Sequence, residues 1–257
     1  MADFRHLTVA LKGSIALVTL NRPDKRNAVN RALIEELAAF FNAPPKKAKV
    51  IVINGAGDHF CAGLDLAEQK ERTPEESFEL SQFWHRATEV MQFGGRPLVA
   101  AMHGAVIGGG LELAVCAHVR IAEPSAFYAL PEGRRGIFVG GGASVRVGRI
   151  IGYGRTVEMM LTGRRYEAED GLRLGLSHYL VGEGEALAKA MELADAIAGN
   201  APLANRLIIQ ALPRIGEMSP AEGLLTEELA SALTQATDDA RAGMEAFLKK
   251  TAIRFDR

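Results

Sequence analysis

Cysteine is nearly absent from this chain: Cys61 and Cys116 are the two in 257 residues. Two thiols make no disulfide framework, and they offer no metal-ligand spacing. No metal is therefore expected, and a reducing cytoplasm is the expected setting. Net charge is almost absent too, with 30 Lys and Arg against 31 Asp and Glu. That balance gives no reason to expect a nucleic-acid partner. The N-terminal run Met-Ala-Asp-Phe-Arg-His lacks the apolar core of a signal peptide. No fixed-length repeat or low-complexity linker is visible. Residues 98–119 form an almost wholly apolar run, but it holds Glu112, two histidines and three consecutive glycines. A carboxylate near a bilayer centre costs about 3 kcal/mol, so the run reads as a buried strand and a core helix, with no membrane partner.

What is present is average composition and enough length for one large domain, or a core with an appendage. Strands are expected over 4–11 and 14–20, around Gly13. A polar turn, 21–28, leads to a helix from Asn30 with Leu33, Ile34, Leu37 and Phe41 at helical spacing, ended by Pro44-Pro45. Residues 49–54 are a short apolar strand of the kind buried on both faces. One or two helices follow within 68–92, starting near Thr73-Pro74-Glu75. Then come a strand over 98–103, a helix over 108–117 and a strand over 118–122. Beyond about 143 the pattern turns helical: 145–151, 156–161, a turn at 168–176, then long helices over 185–199, 202–215 and 219–248. An α/β core over 1–195 is thus followed by a helical region over 196–257.

The densest chemistry lies in 97–142. Gly108-Gly109-Gly110 permits positive φ and close backbone approach at the start of a helix. The first N–H groups of that helix lack intrahelical partners and can face an oxygen that becomes negative. Glu112 lies in its first turn, and Glu132 follows in Leu130-Pro131-Glu132-Gly133. Each alone has a bland reading, as a helix-end glutamate and as a surface turn residue. Together, beside that oxygen site, they look like an acid/base pair. Gly104-x-x-x-Gly108-Gly-Gly lacks the Gly-Lys-Ser/Thr ending of a phosphate loop and the spacing of a dinucleotide fingerprint.

The ordered set Asn21-Arg22-Pro23 with Asn27-Ala28, Phe60-Cys-Ala-Gly63-Leu64-Asp65, His103-Gly104 with Gly108-Gly109-Gly110-Leu-Glu112, and Leu130-Pro131-Glu132 resembles the enoyl-CoA hydratase/isomerase (crotonase) family. Leu161-Thr-Gly163, Gly175-Leu176 and Ala246-Phe247 extend the resemblance over nearly the whole length. It implies an α/β fold, a crotonase-like spiral of ββα turns with a C-terminal helical trimerisation region, assembled as a homotrimer or homohexamer. It implies an acyl-CoA thioester substrate and no separate cofactor, coenzyme A being part of the substrate. The N–H groups of Leu64 and Gly109 would hold the thioester oxygen, and Gly140 would position the catalytic water. Lys25, Arg26, Ala28 and Ala62, with Phe247 and Lys250 of a neighbouring subunit, would contact substrate or coenzyme A.

Within that resemblance, both glutamates together look like a hydratase of trans-2-enoyl-CoA. A hydroxycinnamoyl-CoA hydratase-lyase tends to lack the first glutamate and to use a tyrosine from the C-terminal region, whereas no tyrosine follows Tyr179 here. A non-catalytic relative would have no use for the pair. Phe138-Val139-Gly140-Gly141-Gly142 stands where the family often has Pro-Gly, and Arg134-Arg135 is unusual. Both bear on the acyl pocket, which is expected from 66–92, 134–139 and the C-terminal helices. Phe83 and Trp84 are read as core packing, and His59, His103 and both cysteines as structural.

Overall fold

The computed structural model describes residues 4–68 and 72–255. The chain opens with an antiparallel pair, β1 (Leu7–Lys12) and β2 (Ile15–Leu20), then helix α1 (Arg31–Asn42). Asn30 caps α1, its side chain accepting the Leu33 N–H. Strand β3 (Val50–Gly55) and helix α2 (Pro74–Phe93) follow. α2 is one helix, started by a reciprocal Thr73–Glu76 capping box with Pro74 at its first position. Residues 69–71 of the expected 66–92 stretch lie outside the described residues.

The apolar run 98–119 resolves into β4 (Leu98–Met102), β5 (Ala105–Ile107) and a short helix α3 (Gly109–Ala114). β5 was not expected, and α3 is shorter than 108–117. The His118 N–H is taken by Leu98 O at 2.8 Å, which draws the chain out of the helix and into the next strand. β6 (Val119–Ala122) and β7 (Phe127–Ala129) come next, then α4 (Ala143–Ile151) and α5 (Tyr153–Thr162). Where a turn was expected at 168–176, helix α6 (Ala168–Leu174) runs between the two-residue strands β8 (Tyr166–Glu167) and β9 (Tyr179–Leu180). The chain ends in α7 (Ala186–Ala198), α8 (Pro202–Ile215), α9 (Pro220–Gln235) and α10 (Asp238–Leu248). The single helix expected over 219–248 is therefore two, because the Thr237 side chain accepts the Ala240 N–H and starts a second.

Six strands form one sheet in the order β1-β2-β3-β4-β6-β9, parallel from β2 onward. β5, β7 and β8 form a second sheet. Isolated bridges Val29–Leu64 and Cys61–Val106 carry the second ladder back to the earlier turns. Each turn is thus a strand in the first sheet, a strand or bridge in the second, and a helix. Side-chain alternation divides the core. Ile51 and Ile53 of β3 face the interior, while Val50 and Val52 face α7. α7 presents Ala186, Ala190, Ala194 and Ala198 there, small side chains at helical spacing that let it lie close on the sheet. Among the described residues no helix is long and apolar enough to cross a membrane.

One polar clamp ties the first turn to the second. Asn27 is fully buried at positive φ (54°). Its Oδ1 accepts the Arg22 N–H at 2.9 Å, and its Nδ2 donates to Ala56 O and His59 O at 2.8 and 2.7 Å. Beside it Arg22 pairs with Asp65 at 2.8 Å, both side chains buried. Asn27→Ala orphans buried groups and leaves a side chain without local hydrogen bonds at positive φ. It should cost roughly 3 kcal/mol. Urea unfolding checks this, and a loss below about 1 kcal/mol would show that the clamp contributes little.

Candidate active site

The clamp sets the orientation of one backbone donor. Val29 N–H donates to Gly63 O and Asp65 N–H to Val29 O, at 2.7 and 2.8 Å. This parallel bridge occupies residues 63 and 65 and turns the Leu64 N–H the other way, toward a cavity of about 340 Å³ that Leu64 lines. Gly109, the first residue of α3, lines the same cavity. Its N–H is one of those that a helix start leaves without an intrahelical partner. A Cβ on Gly109 would stand 3.7 Å from Leu64 N, so the two amides are neighbours. α3 is only six residues long. The cavity is therefore offered two neighbouring N–H groups and only a short helix start.

Two carboxylates face these donors. Glu112 projects from the first turn of α3 and is 4% exposed. Its Oε1 accepts the N–H groups of Gly141 and Ala143 at 2.7 and 3.2 Å. Burial pushes its pKa up, while those N–H donors and the Arg146 charge oppose the rise. Glu132 follows Pro131 at the head of a short 3-10 turn and is 6% exposed. Burial pushes its pKa from 4.5 up to about 7; its own backbone N–H opposes this, the Glu112 charge adds to it, and Arg135 lowers it. Glu132 Oε2 is buried and has no hydrogen-bond partner among the described residues.

Two glycines make this closeness possible. Gly108 has φ 52° and ψ −121°, and a Cβ there would lie 2.6 Å from Glu132 Oε1. A Cβ on Gly141 would lie 2.6 Å from both Glu112 Oε2 and the Trp84 ring. α2 holds the segment between: Ser81 Oγ donates to Gly140 O at 2.7 Å, and Thr88 Oγ1 to Gly141 O at 3.3 Å. Gly140 lines the cavity, as do Gly109, Leu64 and both glutamates.

The outlying residues fare differently. Ala62 N–H donates to Arg26 O at 3.0 Å, so the segments of Arg26, Ala28 and Ala62 run side by side next to Leu64. Lys25 sits exposed on the turn just before them. Phe247 is 82% exposed, and neither it nor Lys250 lines the cavity of its own chain. Trp84 was read as core; it is buried, but its ring also forms the cavity wall against Gly109 and Gly141. Helical phase identifies a buried face and cannot tell a core from a cavity. Phe83 does pack, half-buried, against the core, with the Arg31 guanidinium 6.0 Å from its ring centre. Ranges 66–92 and 134–139 do line the cavity, through Leu80 and Trp84 and through Ile137, Phe138 and Val139; none of the C-terminal helices does so among the described residues. His59 Nδ1 accepts the Ala105 N–H, and His103 Nε2 bonds Gly57 O, which are structural roles. Both cysteines are free and buried. Among the described residues no group of His, Cys, Asp and Glu is arranged to hold a metal.

The sequence pattern of the enoyl-CoA hydratase/isomerase family matches residues 10–257. Enoyl-CoA hydratase EchA19 of Mycobacterium tuberculosis is 33% identical over 254 residues, covering 96% of this chain and 95% of that protein. The short-chain-enoyl-CoA hydratase of Clostridium acetobutylicum is 30% identical, over 98% and 97% of the two chains. A crystal structure from Rhodopseudomonas palustris, of a protein provisionally assigned as an enoyl-CoA hydratase, superposes with a TM-score of 0.93. It is 48% identical, over 97% of this chain and 98% of that one.

The raised pKa of Glu132 makes stability depend on pH. Between 4.5 and about 7 the folded chain holds a proton that the unfolded chain releases. The stability this gives is complete below 4.5 and is lost as pH rises through about 7. Wild type should therefore lose stability relative to Glu132→Gln across that window, as read by urea unfolding at stepped pH. Parallel curves would mean that Glu132 titrates normally.

Proposed function

This chain belongs to the enoyl-CoA hydratase/isomerase family, and we propose that it hydrates a trans-2-enoyl-CoA to the 3-hydroxyacyl-CoA, or runs the reverse dehydration. The observation that carries this reading is the meeting of two buried glutamates and two neighbouring backbone amides in one cavity.

The thioester carbonyl oxygen accepts hydrogen bonds from the N–H groups of Leu64 and Gly109. Water attacks the β-carbon, the carbon–carbon π pair moves toward the carbonyl, and an enolate forms with its charge on that oxygen. Donors already aimed at the oxygen stabilise this charge without reorganising, and losing one such donor typically costs about 3–4 kcal/mol. Glu112 is the base that takes the water proton. Its Oε1 already accepts two N–H bonds, which favour its anionic form. Glu132, with its pKa near neutrality, keeps a proton and delivers it to the α-carbon. Gly140, which lines the cavity, is the residue we assign to position the water. After each turnover the proton gained by Glu112 restores the one lost by Glu132, so the pair works with a single shared proton.

Coenzyme A is part of the substrate in this reading, and no separate cofactor is needed. Arg26, Ala28 and Ala62, which run alongside Leu64, and the neighbouring Lys25 would meet its adenosine and phosphates. Phe247 and Lys250 lie on the outside of this chain and would serve a neighbouring subunit. The exposed Leu224, Leu225, Leu229 and Leu233 of α9 support such self-association, as a trimer or paired trimers. The buried, free cysteines suit a reducing compartment. The lyase alternative has no use for Glu112 in this position.

Glu112→Gln and Glu132→Gln keep the shape and remove the proton chemistry. Each should lower kcat on crotonyl-CoA by ~10²–10⁴-fold while changing KM little. Steady-state kinetics on folded variants checks this, and full activity in either one would show that the two-carboxylate assignment is wrong.

A further inference from the structure

A second cavity lies at the other end of the six-stranded sheet. The active site follows the C-terminal ends of β3 and β4, through Leu64, β5 and α3. The second cavity, of about 380 Å³, lies at their N-terminal ends, where Lys49 precedes β3 and Pro97 precedes β4. Strands of this length separate the two by roughly 15–20 Å, at about 3.3 Å per residue. Among the described residues none lines both cavities. Four cations line the second: Lys46, Lys49, Arg96 and Arg206. Among the described residues no acid lines it, and none of the four cations pairs with one.

The two guanidiniums are held close to each other. Arg206 lies across Gly95, where a Cβ would stand 2.9 Å from its Nε and 3.0 Å from its Nη2. Gly95 has φ 87°, and Arg96 follows it directly. Burial and the Arg206 charge both push the Arg96 pKa down. Arg96 Nε donates to Ala48 O, next to Lys49, and Lys49 Nζ donates to Phe255 O. Neutral carbonyls take those two bonds, so the charges stay uncompensated. α8 starts at the same place: Pro202 and Leu203 line the cavity, and Ala201 gives the helix no side-chain cap. The positive end of that helix adds to the field. Like charges gathered in one hollow repel until an anion enters. A carboxylate would offset one of the four. A phosphoryl group brings close to two charges and three acceptor oxygens, and guanidiniums pair with it in the plane. We propose that this cavity is a second binding site, for a phosphate- or pyrophosphate-bearing anion held between Arg96 and Arg206, with the Lys46 and Lys49 charges beside it. The site stands apart from the hydration chemistry, and its failure would leave the hydratase reading untouched.

The test is isothermal titration of the full chain with inorganic pyrophosphate and with ADP, at about 0.15 M salt so that scattered surface charge is screened. Pyrophosphate should bind with a Kd of roughly 0.1 mM or below. ADP binding about tenfold tighter than pyrophosphate would add a nucleoside to the ligand, and ADP binding no tighter would make the phosphates the whole of it. Either result supports the site. Arg96→Gln and Arg206→Gln should each weaken pyrophosphate by about tenfold or more, and Arg206→Lys should keep part of the affinity. Arg206 is exposed, so its variants decide the matter if Arg96→Gln does not fold. Absence of binding at millimolar pyrophosphate overturns the proposal. So does binding that both glutamine variants leave unchanged, which would put the anion elsewhere, such as the Lys25–Arg26 turn. Asp256 lies outside the described residues, directly after Phe255. Binding that appears only in Asp256→Asn would make the chain's own carboxylate the occupant, and that also overturns the proposal.

Discussion

Two carboxylates buried in one small cavity cannot both be charged without severe cost. Burial disfavours the charge on each, and the Glu112 charge further raises the pKa of Glu132. The cations that act on them, Arg146 on Glu112 and Arg135 on Glu132, are half-buried and exposed. Glu112 accepts the N–H groups of Gly141 and Ala143, whereas Glu132 Oε2 has no donor among the described residues. Chemically identical groups thus sit in different environments. N–H donors oppose the rise that burial causes in the Glu112 pKa, whereas burial lifts Glu132 to about 7.

The spiral supplies these environments. Successive ββα turns bring residues far apart in sequence to one edge of the second ladder. The first two turns, clamped by Asn27 and the Arg22–Asp65 pair, present Leu64. The third presents Gly109 and Glu112 through β5 and α3, and the fourth presents Glu132 after β7. α2 closes the cavity by holding Gly140 and Gly141 through Ser81 and Thr88. The glycines at 108 and 141 lie where a side chain would strike Glu132 or Glu112.

Much of this was legible in the sequence. Asn30 before an apolar helical face, Thr73-Pro74-Glu75, and the apolar runs of β3 and β4 are local signals, and local physics set those elements. The glutamate pair was legible because glycines flank it. β5 and β7 were not, since three residues carry no period and their existence depends on a partner strand. The break at Thr237 had a signal, an N-cap residue followed by two aspartates, but the apolar pattern on both sides masked it. The cavity wall was legible only as ranges. Trp84, Ser81 and Ser77 on one side and Ile137 and Phe138 on the other face each other only because α2 lies over the 135–141 segment, a long-range contact that no local pattern encodes.

Family membership alone admits addition of water, movement of a double bond and cleavage of a carbon–carbon bond. The account here selects the first, and oxygen-18 distinguishes the three most directly. The protein is incubated with a trans-2-enoyl-CoA in water enriched in oxygen-18, and the thioester product is weighed by mass spectrometry. The account predicts one labelled oxygen at the β-carbon of an intact acyl-CoA, with the label lost again on dehydration. An unlabelled product of unchanged mass with a shifted double bond, or release of acetyl-CoA and an aldehyde, would contradict it.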